Sequence, residues 1–220
     1  MDLCLPIGES FSSALDREII ELREHEYLRL LPNPSENKGF LMHVEYEAKV
    51  LGIDPEATAE AIIASGGRRR AATALLRRYV YDIAPGDNSR WIRLRDSDSG
   101  SSVTVKEIRH DGTDGTDEVE VGVSSFETAA ELLDRLGFTA RSYQENRRTS
   151  FELEGALLEI DEWPLIPPYL EIEAHSREEV VRVAALLGYG EEELTGENTV
   201  KIYARHGIDL LSLKRVGFND

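Results

Sequence analysis

A short acidic pattern recurs three times inside apolar runs, and it constrains the fold more than any other feature of the chain. It stands at Glu45-Tyr46-Glu47, Glu118-Val119-Glu120 and Glu171-Ile172-Glu173. A β-strand points alternate side chains to opposite faces, so each pattern places two carboxylates on one face and apolar groups on the other. Paired anions on several strands indicate a divalent cation between them. The pattern therefore predicts a strand-rich protein with a candidate metal site.

Basic residues alternate in the same way, as where Arg93 and Arg95 share one face of a predicted strand. Other charged residues on such polar faces are Lys49, Lys106, Glu159, Asp161 and Lys201. A sheet with one side in water would explain any single strand. The polar faces, however, use long charged groups almost exclusively, and acids and bases are separated by strand. If the sheet closes with this face inward, its interior is a polar tunnel that a metal-bound triphosphate would neutralise.

The sequence also contains signals for helices, and we expect these helices to pack on the apolar faces of the strands. Asp54 with Pro55 predicts a helix to about Ala64, and capping boxes begin at Ser124 and Ser176. The predicted strands are His43–Leu51, Leu76–Ile83, Arg90–Arg95, Val103–His110, Glu118–Val123, Phe138–Tyr143, Arg148–Glu154, Ala156–Asp161, Tyr169–His175 and Thr199–Tyr203. Their arrangement in hairpins favours an antiparallel sheet and an α+β fold.

Charge and cysteine usage narrow the function classes. The formal net charge of -17 over 220 residues opposes general binding to nucleic acid or to an anionic membrane. It does not oppose a small anionic ligand, because a local cluster of bases can reverse the field inside a cleft. Cys4 is the only cysteine, which favours the cytoplasm. No apolar run approaches roughly 20 residues, so we expect no membrane span, and the N-terminus does not resemble a signal peptide.

The first 41 residues differ from the rest. Residues 13–31 have the spacing of an amphipathic helix, Pro32 and Pro34 end it, and residues 33–39 resemble a linker. We therefore predict two parts, an N-terminal helix and linker at 1–41 and a folded domain at 42–220. Whether the helix packs on that domain is left open.

At these residues the chain resembles the CYTH superfamily, the triphosphate tunnel metalloenzymes. Glu45-Tyr46-Glu47-Ala48-Lys49 matches the family's Glu-x-Glu-x-Lys signature. The further matching segments are Trp91-Ile92-Arg93-Leu94-Arg95, Val103-Thr104-Val105-Lys106, Glu118-Val119-Glu120-Val121, Arg148, Asp161 and Tyr169-Leu170-Glu171-Ile172-Glu173. The signature alone is weak, but the ordered set is specific and covers roughly residues 42–205.

This resemblance implies an eight-stranded antiparallel β-barrel, a triphosphate tunnel with helices packed on the outside, and a requirement for Mg²⁺ or Mn²⁺. The implied triphosphate-binding residues are Lys49, Arg93, Arg95, Lys106, Arg148 and Lys201. The implied metal ligands are Glu45, Glu47, Glu171 and Glu173, with Glu118, Glu120 and Asp161 as second choices. The implied catalytic residues are Lys49, Glu45 and Glu47.

Two activities fit the resemblance equally well: cyclisation of ATP to cyclic AMP, and hydrolysis of ATP, thiamine triphosphate or tripolyphosphate. The alternative from another class is a non-catalytic module that binds nucleotide or polyphosphate, and a homodimer is left open. The chain also departs from the family. It has Asn146 where many relatives have a base, which neighbouring Arg147 could replace, and Thr116-Asp117 where many have Arg. The loop from Trp163 to Pro168 is predicted to shape the tunnel mouth.

Overall fold

The computed structural model describes residues 43–110 and 116–219, and within these the side chains of residues 43–45 are not described. The helix and linker predicted in residues 1–41 therefore lie outside the described residues. The described strands are β1 (His43–Leu51), β2 (Arg68–Asp82), β3 (Arg90–Ser97), β4 (Gly100–Ile108), β5 (Thr116–Val123), β6 (Ala140–Leu153), β7 (Ala156–Glu162), β8 (Tyr169–Ala174), β9 (Leu194–Thr195) and β10 (Arg215–Val216).

These strands form one sheet that is antiparallel except at its short β10 strand. The order is β10-β6-β2-β3-β4-β5-β1-β8-β7, with β9 beside β1 and an additional pairing between β6 and β7. The predicted antiparallel sheet and α+β class are thus confirmed. Five of the ten pairings among these strands join consecutive strands, whereas β1 joins β5 and β8 across long stretches of chain.

Within residues 43–110 and 116–219 there are four α-helices: α1 (Pro55–Ala64), α2 (Phe126–Arg135), α3 (Arg177–Leu186) and α4 (Thr199–Arg205). The helices α1 and α3 begin where the capping signals predict, and α2 begins one residue later, with Ser125 rather than Ser124 as its cap. The side chains of Asp54, Ser125 and Ser176 each accept a hydrogen bond from the backbone N–H three residues on, at 2.9, 3.1 and 3.2 Å. Each cap satisfies a donor that the helix itself leaves unpaired.

The prediction of a last strand at Thr199–Tyr203 is wrong, because this segment is helix α4. The side chain of Asn198 accepts a hydrogen bond from the backbone N–H of Lys201 at 3.0 Å and caps the helix. Ile202 and Tyr203 are both buried, whereas consecutive strand residues would point to opposite faces. The alternation of apolar and polar residues is too short here to separate a strand from a single helical turn.

Strands β2 and β6 are longer than predicted, and each is continuous. β2 and β6 pair along most of their length, with register shifts at three points. The sequence prediction divided β6 in two, because its central residues, 144–147, are all polar and show no alternation. Burial on both faces explains this, since Gln144, Glu145 and Asn146 are all buried.

The apolar faces of the strands pack under the helices. One core cluster joins Ala48, Leu158 and Ile172 of the sheet to Val180 and Val183 of α3. A second cluster packs α2 on β2 and β3, and a third surrounds Tyr203 of α4. In the described residues, no helix has the length and apolar character needed to span a membrane. The first two clusters thus lie on one side of the sheet, and the charged faces of β1–β8 are directed to the other side. The third cluster includes Tyr169, which shares the charged face of β8 with Glu171.

Candidate active site

The charged faces of β1–β8 surround a cavity of about 680 Å³, to which α4 also contributes. Its charged lining residues are Glu47, Lys49, Arg78, Arg93, Arg95, Lys106, Glu118, Glu120, Arg141, Arg148, Glu159, Glu171, Glu173 and Lys201. Of the predicted site residues whose side chains are described, only Asp161 is not part of this lining. Lys201 reaches the cavity from helix α4 rather than from the predicted strand. The side chain of Glu45 lies outside the described residues.

Lys49 is buried between two carboxylates of the cavity. Its Nζ lies 2.8 Å from Oε1 of Glu47 and 3.1 Å from Oε2 of Glu171. Glu171 is the cross-strand partner of Lys49 on β8. Burial works to lower the pKa of Lys49, but the charges of Glu171 and Glu47 outweigh it and raise that pKa above its ordinary value. Lys49 is therefore a fixed positive charge at neutral pH and not a proton acceptor.

Arg148 is held by three carboxylates. Its Nε lies 2.7 Å from Oδ1 of Asp161, and a terminal nitrogen lies 3.5 Å from Oε1 of Glu171. It also pairs closely with Glu159 on β7. Asp161 is fully buried and accepts a further hydrogen bond from Asn146 at 2.9 Å. The position of Asp161 behind Arg148 indicates that this carboxylate orients the guanidinium group from outside the cavity.

Glu159 differs electrostatically from its neighbour Glu171, although the two are cross-strand partners. Burial raises the pKa of Glu159, Arg148 lowers it, and the charges of Glu171 and Asp161 raise it again, so the net direction is upward. Burial also opposes ionisation of Glu171, but Lys49 and Arg148 outweigh that effect and hold its pKa well below the ordinary range. The pair therefore combines a permanently ionised carboxylate with one that takes up a proton more readily.

The bases of β3 and β4 meet the two carboxylates of β5. Arg93 lies 3.5 Å from Glu118 and 3.4 Å from Glu120, and Arg95 lies 3.5 Å from Glu120. Lys106 lies 2.5 Å from Glu118. Burial lowers the pKa of Arg95, and the positive charges of Arg93 and Arg148 lower it further. The Arg93 and Arg95 contacts are long for charge-assisted hydrogen bonds, so both groups retain the capacity to bind an anion.

Arg78 is a lining residue that the sequence analysis missed. It lies on β2 between Leu76 and Val80 of the same face, and a single base between apolar residues of one face gives no recognisable pattern. Arg147, by contrast, is exposed and places its guanidinium 4.1 Å from the ring centre of Phe218. Arg147 is not part of the cavity lining. The additional base near Arg148 in the cavity is therefore Arg78 on the neighbouring strand β2, and not Arg147.

One end of the cavity carries apolar side chains together with uncharged polar ones. Trp91 begins the inward pattern of β3, Ile108 ends β4 and Thr116 begins β5, and neighbouring antiparallel strands bring these positions to the same end. The non-charged residues that line the cavity include Asn88, Ser89, Trp91, Ile108, Trp163, Thr199, Val200 and Leu211. Of the loop from Trp163 to Pro168, Trp163 contributes to this lining, and the influence of the loop on the tunnel mouth or on substrate choice stays a prediction. This end can receive an organic group, whereas the charged part suits phosphate.

The carboxylates fit a hard divalent cation by their chemistry. Glu47 and Glu173 are cross-strand partners on β1 and β8, and both line the cavity beside Glu171. Oxygen donors of this kind suit Mg²⁺ or Mn²⁺, and the lining contains no His or Cys that would favour zinc. Among the described side chains, no three metal-binding groups are close enough together to hold an ion. Glu45, the remaining predicted ligand, is not among those side chains.

Together, the fold and the site define an α+β domain that holds an acid- and base-lined cavity against an antiparallel sheet. The CYTH domain matches residues 43–197, and the chain belongs to this family. The resemblance inferred from the ordered strand motifs is therefore confirmed.

Solved structures from several organisms share this fold. A conserved hypothetical protein from Pyrococcus furiosus is 23% identical, with a TM-score of 0.61 over 72% of this chain and 99% of its own. A protein from Vibrio parahaemolyticus, proposed as an adenylate cyclase, is 15% identical, with a TM-score of 0.63 over 74% of this chain and 98% of its own. A Hippeastrum protein proposed as an adenylyl cyclase, with a dominant triphosphatase activity, is 20% identical, with a TM-score of 0.53 over 77% and 99%. The curated proteins contain no match.

Proposed function

We propose that this protein is a divalent-metal-dependent enzyme that processes an organic triphosphate inside an eight-stranded tunnel barrel. The observation that carries the proposal is the charge of the cavity. Among the described side chains, eight basic and six acidic ones line it, although the chain as a whole has a net charge of -17. A local excess of bases in an acidic protein concentrates an anionic ligand. The pairing of β6 with β7 links the last strand of the order to the strand beside the short β10, which supports a closed barrel of β1–β8.

The bases would divide the binding of the triphosphate among them. Arg93 and Arg95 on β3 present planar guanidinium groups that can contact phosphate oxygens in pairs. Lys49, Lys106 and Lys201 add compact positive charges at other points of the lining, and Arg148 adds a third guanidinium. Since Lys49 stays protonated, we assign it the stabilisation of negative charge that develops on the reacting phosphoryl group. Catalysis of this kind rests on positioning and electrostatics.

The carboxylates would hold the cation. We assign Glu45, Glu47, Glu171 and Glu173 as its ligands, with Glu118 and Glu120 as further candidates. When bound, Mg²⁺ or Mn²⁺ neutralises charge on the triphosphate and on the leaving group. The buried Asp161 would keep Arg148 in place, which is a positioning role and replaces the predicted role as a metal ligand.

Two reactions are compatible with this arrangement, namely hydrolysis at a phosphoryl group and cyclisation of ATP with loss of pyrophosphate. The end of the cavity that carries Trp91, Ile108 and Val200 favours a substrate with an organic group over bare tripolyphosphate. The similar fold of the proposed adenylate cyclase from Vibrio parahaemolyticus and of the Hippeastrum protein with triphosphatase activity supports a triphosphate as the substrate.

A substrate panel tests this proposal. The purified chain is incubated with Mn²⁺ or Mg²⁺ and, separately, with ATP, thiamine triphosphate and tripolyphosphate, and the products are identified by chromatography. Cyclic AMP with pyrophosphate supports the cyclase, and released orthophosphate supports the triphosphatase. Ligand that binds but stays intact with every metal contradicts the enzyme and supports the binding module.

A matched pair of variants tests whether Glu47 is a ligand of the proposed metal ion. Glu47→Gln removes a proposed ligand, and we expect it to raise the Mn²⁺ concentration needed for half-maximal activity by about tenfold or more. Glu127→Gln serves as the control, because Glu127 is an exposed acid on α2 that pairs with Arg77 outside the cavity. Equal metal requirements in both variants would remove Glu47 from the ligand set.

A further inference from the structure

Arg78 is buried without a carboxylate partner among the described residues. Its residue exposure is 7%, and no Asp or Glu oxygen of the described chain lies within ion-pair distance of it. One terminal nitrogen donates a hydrogen bond to the side-chain oxygen of Asn146. The guanidinium also lies over the ring of Trp163, 4.6 Å from its centre. The Nε–H is buried and has no acceptor.

The other deeply buried bases of the cavity have carboxylate partners. Lys49 has Glu47 and Glu171, and Arg148 has Glu159, Asp161 and Glu171. A buried charge without a partner costs several kcal/mol, since it has lost its water and gained no counter-charge. The structure around Arg78 thus lacks the negative charge that the structure around Lys49 and Arg148 provides.

The charged neighbours of Arg78 increase this shortage of negative charge. Burial lowers the pKa of Arg78, and the positive charges of Arg93 and Arg148 lower it further, with only Asp161 acting in the opposite direction among the nearest groups. Arg95 is the cross-strand partner of Arg78 on β3. Four guanidinium groups therefore face one part of the cavity from the adjacent strands β3, β2 and β6.

We propose that Arg78 is a substrate-binding residue, which contacts a phosphoryl group of the triphosphate and completes a row of guanidinium groups from β3 to β6. This inference rests on the proposed function. Arg95 lies directly opposite Arg78, whereas Arg148 lies opposite Ala74, four residues along β2. The four guanidinium groups therefore come from positions spread along the strands as well as across them, and together they can contact more than one phosphoryl group. Trp163 and Asn146 fix the plane of the guanidinium before the ligand arrives. A phosphoryl group would supply both the missing charge and an acceptor.

The test measures anion binding without turnover. Tripolyphosphate is titrated calorimetrically into the full chain in the presence of EDTA, for the wild type, Arg78→Gln and Arg78→Lys. We expect Arg78→Gln to weaken binding at least tenfold. Arg78→Lys keeps the charge but loses the planar fork, and we expect it to weaken binding three- to tenfold. Arg77→Gln is the matched control, because Arg77 is the next residue of β2 and pairs with Asp96 and Glu127 outside the cavity; its affinity should stay within twofold of the wild type.

Thermal unfolding without ligand separates this role from a structural one. Removing an unpaired buried charge should leave the Tm of Arg78→Gln at or above that of the wild type. A lower Tm together with wild-type affinity would show that Arg78 only supports the fold, and would overturn the inference. If Arg78→Gln does not fold, the affinity of Arg78→Lys for tripolyphosphate decides. An affinity equal to that of the wild type overturns the inference, and a weaker affinity supports it.

The outcomes also separate this inference from the proposed function. Turnover of triphosphate by the wild type with unchanged affinity in Arg78→Gln overturns the inference alone. Binding of tripolyphosphate that depends on Arg78, without turnover of any triphosphate, overturns the enzyme and leaves Arg78 as an anion-binding residue. A wild type that binds no tripolyphosphate in EDTA overturns the inference alone, and the substrate panel with Mn²⁺ or Mg²⁺ then decides the proposed function.

Discussion

The charges inside the cavity and the charges on the outer surface use the same residue types under different conditions. Lys49 is 3% exposed at its side chain and lies between two carboxylates. On the outer surface, Arg135 of α2 pairs with Glu131 one turn earlier, and their side chains are 74% and 63% exposed. Water and salt weaken the outer pair, whereas the inner pair has little water around it. The inner charges are therefore costly for stability, and their retention indicates a role in function.

The largest effect is expected when Lys49 is removed from between Glu47 and Glu171 in the cavity. Lys49→Met removes the cation beside Glu47 and leaves Glu171 with only its 3.5 Å contact to Arg148, and we expect it to lower the free energy of unfolding by about 3–5 kcal/mol. Urea denaturation followed by circular dichroism measures this change. The double variant Lys49→Met/Glu171→Gln should recover part of the loss, since one of the two uncompensated charges is gone. If the free energy of unfolding of the single variant falls by less than about 1 kcal/mol, the contacts of Lys49 contribute no more to stability than the exposed ion pairs do.

The next effect concerns ligand affinity. We expect Arg93→Gln to weaken tripolyphosphate binding by about 1–3 kcal/mol, the range for losing a charge-assisted contact. Calorimetric titration measures this change. Arg90→Gln on the same strand is the control, because Arg90 is exposed and pairs with Asp87 outside the charged lining. If the two variants bind tripolyphosphate equally well, Arg93 does not contact the ligand.

The change of stability with pH on the acidic side gives a third comparison. The folded-state pKa of Glu171 lies below its ordinary value of 4.5, since Lys49 and Arg148 outweigh the effect of burial. Glu171 therefore contributes stability that is fully present above about pH 4.5 and is lost as the pH falls toward its folded-state pKa. We expect the Tm of the wild type to fall more steeply below pH 4.5 than that of Glu171→Gln. Parallel curves would show that the inner pair does not set this pH dependence.

The smallest effect is expected on the outer surface. Arg135→Ala removes the exposed pair with Glu131 on α2, and we expect the free energy of unfolding to change by less than about 0.5 kcal/mol. The same urea denaturation measures it, at low and at high salt. A loss similar to that of Lys49→Met would contradict the distinction between the inner and the outer charges.

The sequence predicted most of the site because strand alternation is a local property. The charged faces of Glu47-x-Lys49, Arg93-x-Arg95 and Glu171-x-Glu173 could be assigned from parity alone, and the structure places all six of these side chains in the cavity lining. The roles of these residues in metal and phosphate binding stay predictions. Arg78 could not be found in this way, because the inner face of β2 also carries Leu76 and Val80 and so has no uniform polarity.

The positions that the sequence misjudged depend on contacts between distant segments. Asp161 shares parity with Glu159, yet it is buried behind Arg148 because β6 and β7 set these residues opposite one another. Lys201 reaches the cavity from a helix, since Asn198 caps the segment and Tyr203 donates a hydrogen bond to the carbonyl of Pro164 at 2.6 Å. Neither contact can be read from a window of neighbouring residues.

The amino-acid sequence by itself determined the strand faces, the starts of three helices and the membership of the CYTH family. These depend on local chemistry, namely the two-residue period of a strand and the hydrogen-bonding side chain at a helix N-terminus. The tertiary structure alone decided which charges are paired and which buried base lacks a carboxylate. Pairing depends on the register of strands that are far apart in the chain, and register is fixed only when the apolar faces of those strands pack beneath their helices.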